Sequence, residues 1–253
     1  MKLSICIATH NEEEFIHYPL DSVYDIADEI IIVDGKSEDR TVEIARKYGD
    51  KVHVFTEENP PMFHINKQKA IEHAKGEWIL QLDADEALSP ELKEEIQEVL
   101  RQAQDSTPQF AGYWMPRKNY FLGRFLTKGG IYPDYTIRLY KNGSAHFPCK
   151  HVHENVEIKG DVGYLKQDLL HYADPDFSRY LKRWDRYTTL DVEMLKKDNI
   201  TPSFFDYMIW KPLSTFVSIY LRHRGYMDGF QGYVWALFSA TRNWVIYIKW
   251  RSS

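Results

Sequence analysis

Short apolar runs alternate with amphipathic stretches through the first hundred residues. Leu3-Ser4-Ile5-Cys6-Ile7-Ala8 reads as a buried strand that stops at Thr9-His10-Asn11-Glu12-Glu13, before helix-compatible sequence. Glu29 to Val33 predicts a second strand ending at Asp34-Gly35, and Thr41 to Tyr48 a helix with Ser37 or Asp39 placed to cap it. Val52 to Phe55 predicts a third strand, Ile65 to Ala74 a helix stopped by Gly76, and Glu77 to Leu82 a fourth strand. Strands and helices alternating at this spacing predict an α/β fold with a mostly parallel sheet and right-handed crossovers. Ala111 to Tyr120 and the alternating Thr136-Ile137-Arg138-Leu139-Tyr140 read as further strands, with a turn at Asn142-Gly143. Asp176 to Lys197 predicts a charged amphipathic helix. Phe204 to Leu221 and Phe230 to Trp250 predict two aromatic-rich helices, with a turn marked by Gly225, Gly229 and Gly232 and Asp228 placed as a cap.

At 253 residues the chain holds one large domain, or one with an appendage, and 43% hydrophobic with 27% charged residues marks it as globular. A net charge of −5 argues against a general nucleic-acid binder. Only Cys6 and Cys149 are present, so no disulfide framework is expected. The first apolar run is too short and too quickly acidic for a signal peptide, which places the chain in the cytoplasm as an expectation.

The chemistry concentrates at predicted strand ends. Trp78 to Leu82 runs into Asp83-Ala84-Asp85-Glu86, two carboxylates spaced i, i+2 beyond a central strand. Open α/β sheets bind ligands in that crevice. A carboxylate pair there suits a hard divalent cation, whose usual companion is a phosphate or diphosphate. A lone Asp-x-Asp is more often a solvated turn. Here, however, Thr9 with Glu12, then Asp34, then Asp83 with Asp85 occupy three strand ends in order. Such groups accept hydrogen bonds from a ribose hydroxyl or a base N–H. Glu86 reads as an acid at the start of the helix near Pro90. No G-x-G-x-x-G follows the first strand and no P-loop is present, which removes the dinucleotide and P-loop readings.

The run from Ile5 to Glu12, the segment Ile31-Ile32-Val33-Asp34-Gly35-Lys36-Ser37-Glu38-Asp39-Arg40-Thr41, and Ala74-Lys75-Gly76-Glu77-Trp78 leading into Leu82-Asp83-Ala84-Asp85-Glu86 resemble family 2 glycosyltransferases of the GT-A fold. The resemblance covers about the first 100 residues closely. It implies a Rossmann-like catalytic domain over 1–175, with a nucleotide-sugar half at 1–100, an acceptor-side half at 101–175, and a C-terminal helical extension over 176–253. By the same resemblance Thr9, Glu12 and Asp34 contact the uridine of a nucleotide-sugar donor. Lys67 approaches the diphosphate or sugar, against the alternative of an exposed helix lysine, and Asp83 and Asp85 hold Mg²⁺ or Mn²⁺ on the diphosphate.

Pro133-Asp134-Tyr135-x-x-Arg138-Leu139-Tyr140 and Val152-His153-Glu154 resemble a branch that includes lipopolysaccharide-core glucosyltransferases. That branch implies inversion by single displacement, with a base to take the acceptor proton. Glu154 is the first candidate and Asp134 the second, while His153 acts as base or orients Glu154. Arg138 either pairs with the diphosphate or anchors its strand through a salt bridge. His151 and His153 share a strand face where metal binding is the minority reading.

Residues 204–253 hold 14 of the 37 aromatics and six Lys or Arg against two Asp, yet no uncharged apolar run long enough to span a bilayer. Two readings stand nearly even: helices in a membrane interface, or helices packed on the catalytic domain or on another subunit of a homo-oligomer. The resemblance favours peripheral contact with the inner face of the cytoplasmic membrane. The expected function is an inverting, metal-dependent hexosyl transfer from a nucleotide sugar, a UDP-hexose, to a glycan or lipid-linked acceptor such as lipopolysaccharide core. The rivals are a sugar nucleotidyltransferase, which would open with a glycine-rich loop carrying Arg and Lys, and a non-catalytic nucleotide-sugar-binding or membrane scaffold.

Overall fold

The structure, a computed structural model, describes residues 2–105, 108–149 and 156–253, so His151, His153 and Glu154 lie outside the described residues. The chain forms two compact units. One comprises residues up to Arg117 together with Tyr135–His171, and the other Lys118–Asp134 together with Tyr172–Ser253. The short segment 118–134 therefore groups with the C-terminal helices rather than with the sheet on either side of it.

The first unit opens with β1 (Leu3–Thr9), α1 (His17–Val23), β2 (Glu29–Asp34), α2 (Thr41–Arg46), β3 (Val52–Thr56), α3 (His64–His73) and β4 (Trp78–Asp83). There follow β5 (Glu86–Leu88), α4 (Pro90–Asp105), β6 (Gly112–Phe121), β7 (Arg124–Phe125), β8 (Asp134–Lys141), β9 (Ala145–His146), β10 (Glu157–Ile158), β11 (Val162–Tyr164) and β12 (Leu169–Asp174). The strand order is β3-β2-β1-β4-β8-β6-β12-β5, and β6 and β12 continue into the second unit. β1 to β4 are mutually parallel, while β8 runs antiparallel to β4.

Parallel strands covered on both faces read as continuous apolar runs, and β1, β2 and β4 do so. Alternate residues feed two layers. Ile5, Ile7, Ile30, Ile32, Leu80 and Leu82 pack with Leu20 and Val23 of α1 and Leu92 and Ile96 of α4. Cys6, Ile31, Val33 and Ile79 pack with Ala70 and Ile71 of α3.

At the opposite edge from the candidate site, Glu29 clamps the starts of three strands. Ser4 Oγ donates to Glu29 Oε1 at 2.5 Å, and the backbone N–H groups of Lys75 and Gly76 donate to the same oxygen at 2.6 and 3.2 Å. Gly76 is required there, since a Cβ would sit 2.8 Å from the carbonyl oxygen of Lys2. Burial pushes the Glu29 carboxyl up, but these donors outweigh it and hold the group below its ordinary range. A lowered folded-state pKa adds stability above the unfolded value that is lost as pH falls. Glu29→Gln is therefore expected to cost about 1 kcal/mol at pH 7. The gap from the native protein closes as pH drops through the carboxylate range, which thermal melts across pH read directly.

The second unit contains α5 (Phe177–Lys197), α6 (Lys211–Phe216) and α7 (Gly229–Ser252). Asp176 caps α5, accepting from the N–H groups of Ser178 and Arg179 at 2.8 and 2.9 Å. Arg242 on α7 grips Asp191 on α5 through Nε and Nη2 at 2.9 and 2.6 Å, and Trp184 Nε1 donates to the Phe238 carbonyl at 3.3 Å.

Asp228 departs from expectation. Its carboxylate does not cap α7 but accepts from the N–H groups of Thr127 and Lys128 at 2.9 and 2.7 Å and from Thr127 Oγ1 at 3.1 Å. Donors a hundred positions away satisfy it better than the helix end beside it. Gly232 lies where a Cβ would fall 1.9 Å from the Gly225 carbonyl oxygen. Gly232→Ala is expected to destabilise this unit by about 2 kcal/mol despite alanine's better helix propensity. Urea denaturation is the check.

Candidate active site

Strand register assembles the site. Across β1 and β2, Thr9 stands opposite Asp34, and across β1 and β4, Ala8 stands opposite Asp83. The carboxyl ends of three adjacent parallel strands thus carry Asp34, Thr9 and Asp83 in a row.

The loops beyond these ends are stitched together. Asn11, in the left-handed region at φ 54°, donates its N–H to Ser37 Oγ at 2.8 Å, and its side-chain Oδ1 accepts from the Glu38 N–H at 2.8 Å. The Glu12 N–H donates to Thr41 Oγ1 at 2.8 Å, and the Glu13 N–H to Asp39 Oδ2 at 3.0 Å. Asp39 also accepts from the Thr41 N–H at 2.9 Å, satisfying the first turn of α2. Glu12 is thereby fixed beside the strand ends.

Asp34 is buried and accepts from the Ser37 N–H at 3.0 Å and from the Ser37 hydroxyl. Among the described residues Thr9 Oγ1 is buried without a hydrogen-bond partner, as is Asn66 Oδ1, whose own Nδ2 donates to the Glu58 carbonyl at 2.9 Å. A buried hydroxyl left unpaired beside a strand-end carboxylate is the state expected of a group that pairs with a ligand.

Asp83 sits in a compact ionic cluster. Arg138 Nη2 contacts Asp83 Oδ2 at 2.6 Å and Glu86 Oε1 at 2.7 Å; its Nε reaches Glu86 Oε2 at 3.0 Å and its Nη1 reaches Gln81 Oε1 at 3.1 Å. Lys67 Nζ pairs with Asp83 Oδ1, and Arg117 Nη1 lies 3.2 Å from Glu86 Oε1. The Asp83 N–H closes the turn on Glu86 Oε2 at 3.0 Å.

Burial pushes the Asp83 carboxyl up, but Arg138 and Lys67 outweigh it and hold it well below the usual range. Burial lowers Lys67, only partly offset by Asp83, while the attraction of Asp83 and Glu86 overcomes burial and raises Arg138. Asp83 is therefore a fixed anion.

Lys67 is buried and pairs with Asp83, unlike an exposed helix lysine, and Arg138 is buried between Asp83 and Glu86. Glu86 departs from its expected place at a helix start. It begins β5, is fully buried, and faces two arginines 31 and 52 positions onward.

Asp85 stands at the edge of the cluster, with His171 Nε2 at 3.5 Å from its Oδ1. Among the described residues no group of three or more His, Cys, Asp or Glu is arranged as a metal cage. Both Asp83 oxygens are held by Lys67 and Arg138, and Asp85, with His171 beside it, is the neighbouring carboxylate that could meet an ion. A carboxylate suits Mn²⁺ or Mg²⁺ when diphosphate oxygens and water complete the shell.

Asp134 belongs to the second unit, where Asn119 Nδ2 donates to its Oδ2 at 3.3 Å. Gln81, Arg117 and His171 were not picked out as site residues from sequence. Their signal is positional only, since each gains its partner through sheet pairing or a strand-end turn.

The chain can be set beside known proteins. The family model for glycosyl transferase family 2 matches residues 4–153. An uncharacterised glycosyltransferase of Rickettsia bellii is 30% identical over 248 residues, covering 92% of this chain and 80% of the relative. The lipopolysaccharide core biosynthesis glycosyltransferase LpsC of Rhizobium meliloti is 26% identical over 244 residues, covering 95% and 88%. Among solved structures, the mannosyltransferase PcManGT from Pyrobaculum calidifontis, in complex with GDP-Man and Mn²⁺, superposes with a TM-score of 0.54 at 13% identity, covering 99% of this chain and 87% of that one. TarS of S. aureus, residues 1–349 with UDP, gives 0.50 at 15% identity, covering 100% and 92%. At such identities the structural likeness speaks for the fold.

Proposed function

Since the chain belongs to glycosyl transferase family 2 and is a GT-A-fold glycosyltransferase, we propose that it transfers a hexose from a UDP-sugar, with inversion, to a glycan or lipid-linked acceptor of the lipopolysaccharide-core kind. The observation that supports the donor site is the row of Asp34, Thr9 and Asp83 at three strand ends, with the Thr9 hydroxyl buried and without a partner among the described residues. LpsC supports the acceptor class, and the UDP and GDP-Man complexes of TarS and PcManGT support a nucleotide-linked donor.

Asp34 and Thr9 take the ribose hydroxyls or base edge, with Glu12 alongside. Asp83 stays ionised because Arg138 and Lys67 hold it, and it faces the donor with a quarter of its side chain (26%) exposed. Asp85, with His171 beside it, would hold a divalent cation at the donor site. Mg²⁺ or Mn²⁺ there would neutralise charge developing on the leaving diphosphate.

In the transfer the acceptor oxygen forms a bond to the anomeric carbon. The bond to the diphosphate oxygen breaks, and its electron pair leaves with UDP. The acceptor proton passes to a carboxylate base, Glu154 before Asp134, with His153 orienting Glu154 or replacing it. Glu154 and His153 lie outside the described residues.

Donor turnover without acceptor separates a transferase from a binding scaffold. Incubation with a panel of nucleotide sugars and Mn²⁺ is expected to release UDP slowly from one UDP-sugar. A folded protein that releases no nucleotide from any of them contradicts the proposal.

A further inference from the structure

Two exposed tyrosines stand at the site end of the sheet, and neither the donor row nor the ionic cluster uses them. Tyr135 lies near the start of β8, and Tyr164 closes β11. They are 47 and 65% exposed, and their rings meet edge to face, 5.5 Å between centres and 89° between planes.

Strand register fixes where they lie. β8 runs antiparallel to β4 with Leu139 opposite Leu80, so the start of β8 lies at the carboxyl end of β4, where Asp83 stands. Arg138 joins the two strands there through Asp83. Tyr135 precedes Arg138 by three residues, about 10 Å along an extended strand. Tyr164 is set from another strand, opposite Trp114 of β6, and the Leu165 N–H donates to the Trp114 carbonyl at 2.7 Å. Leu165 is buried, and a Cβ at Gly163 would fall 2.8 Å from the Phe110 ring. The backbone on both sides of Tyr164 is thus fixed while its ring projects into solvent.

Packing does not account for the pair. Trp78 and Tyr140 are fully buried, whereas rings left about half in water or more gain little from burial. Single exposed apolar residues need no explanation, but two rings brought together from different strands beside a site do.

The strand order supplies the ligand. Along β2-β1-β4-β8 the strand ends carry Asp34, Thr9, Asp83 and then Tyr135. At about 4.8 Å per strand, β8 lies about 14 Å from β2, far from the Asp34 end that takes the nucleoside. What lies beyond Asp83 on that line is the acceptor. Two phenols bring no charge for a diphosphate; they bring flat apolar faces and hydroxyls that donate and accept. A sugar ring matches both, with C–H groups on its faces and hydroxyls around its rim.

We propose that Tyr135 and Tyr164 form the platform on which a sugar ring of a glycan acceptor stacks. The assignment rests on the donor-site reading of Asp34, Thr9 and Asp83 and adds an acceptor subsite to it.

Saturation-transfer NMR of the full chain tests this, with core oligosaccharide released from lipopolysaccharide by mild acid, in the presence and absence of UDP and Mn²⁺. The native protein is expected to saturate the ring C–H protons of the oligosaccharide. Tyr135→Ala with Tyr164→Ala is expected to weaken oligosaccharide binding at least about tenfold, while Tyr135→Phe with Tyr164→Phe stays within about threefold, because the ring faces carry the stacking. Tyr164→Ala alone, at the more exposed position, serves where the double alanine variant folds poorly. No saturation of the oligosaccharide in either condition overturns the proposal, and so does binding that survives the alanine variants. A loss confined to the UDP signals overturns it too, since the rings then belong to the donor. Oligosaccharide binding is read without turnover, so the two readings fail separately. A protein that binds it through the rings but releases no nucleotide contradicts the transferase reading alone.

Discussion

Asp85→Ala is expected to lower Mn²⁺-dependent UDP affinity by at least about 100-fold, roughly 2.7 kcal/mol, while metal-independent affinity changes little. The reason lies in how the two motif aspartates differ. Asp83 has one oxygen on Lys67 and the other on Arg138, so an ion would have to displace a buried cation to claim either. Asp85 lies outside those pairs, against the imidazole of His171. Removing it takes away a carboxylate an ion can use and leaves the Arg138 contacts to Asp83 and Glu86 in place. Calorimetry of UDP with Mn²⁺ and with a chelator separates the two affinities. Undiminished Mn²⁺-dependent binding would move the metal to other residues.

Arg138→Met carries the largest expected stability cost, about 3–5 kcal/mol, because it leaves the fully buried Glu86 carboxylate short of its main partner. Arg117, 3.2 Å from Glu86 Oε1, remains as a partial substitute. Replacing both members, Arg138→Met with Glu86→Leu, is expected to recover much of the loss, since paired apolar side chains impose no charge desolvation. Urea denaturation of the two single variants and the double variant gives the coupling. A single-variant cost under about 1 kcal/mol would mean the cluster does not hold the fold together.

The parallel core and the row of polar strand ends were legible because both follow from local pattern. Buried parallel strands are apolar without interruption, so β1, β2 and β4 announce themselves, and each ends abruptly in Thr9, Asp34 or Asp83. The amphipathic pattern from Asp176 to Lys197 likewise announced α5, whose N-terminus Asp176 caps. What depended on distant pairing was not legible. Glu86 follows two aspartates and precedes a helix, which reads as a solvated acid; only β6 and β8 bring the arginines that bury it. Asp228 stands one residue before α7 yet serves Thr127 and Lys128. Lys67 could be resolved only by its place across from Asp83, because a buried and an exposed helix lysine share the same local sequence.

The central claim is that the strand-end row of Asp34, Thr9 and Asp83, with Asp85 beside it, is a metal-assisted nucleotide-sugar site. The most direct test is a thermal-shift comparison of UDP, GDP, ADP and their sugars, each with and without Mn²⁺. A ligand that binds only the folded state at a hundred times its Kd adds about 2.7 kcal/mol of stability. The account predicts a clear rise in Tm with UDP and one UDP-sugar in the presence of Mn²⁺, largely lost on chelation. No shift with any nucleotide, from a sample that melts cooperatively, would contradict it.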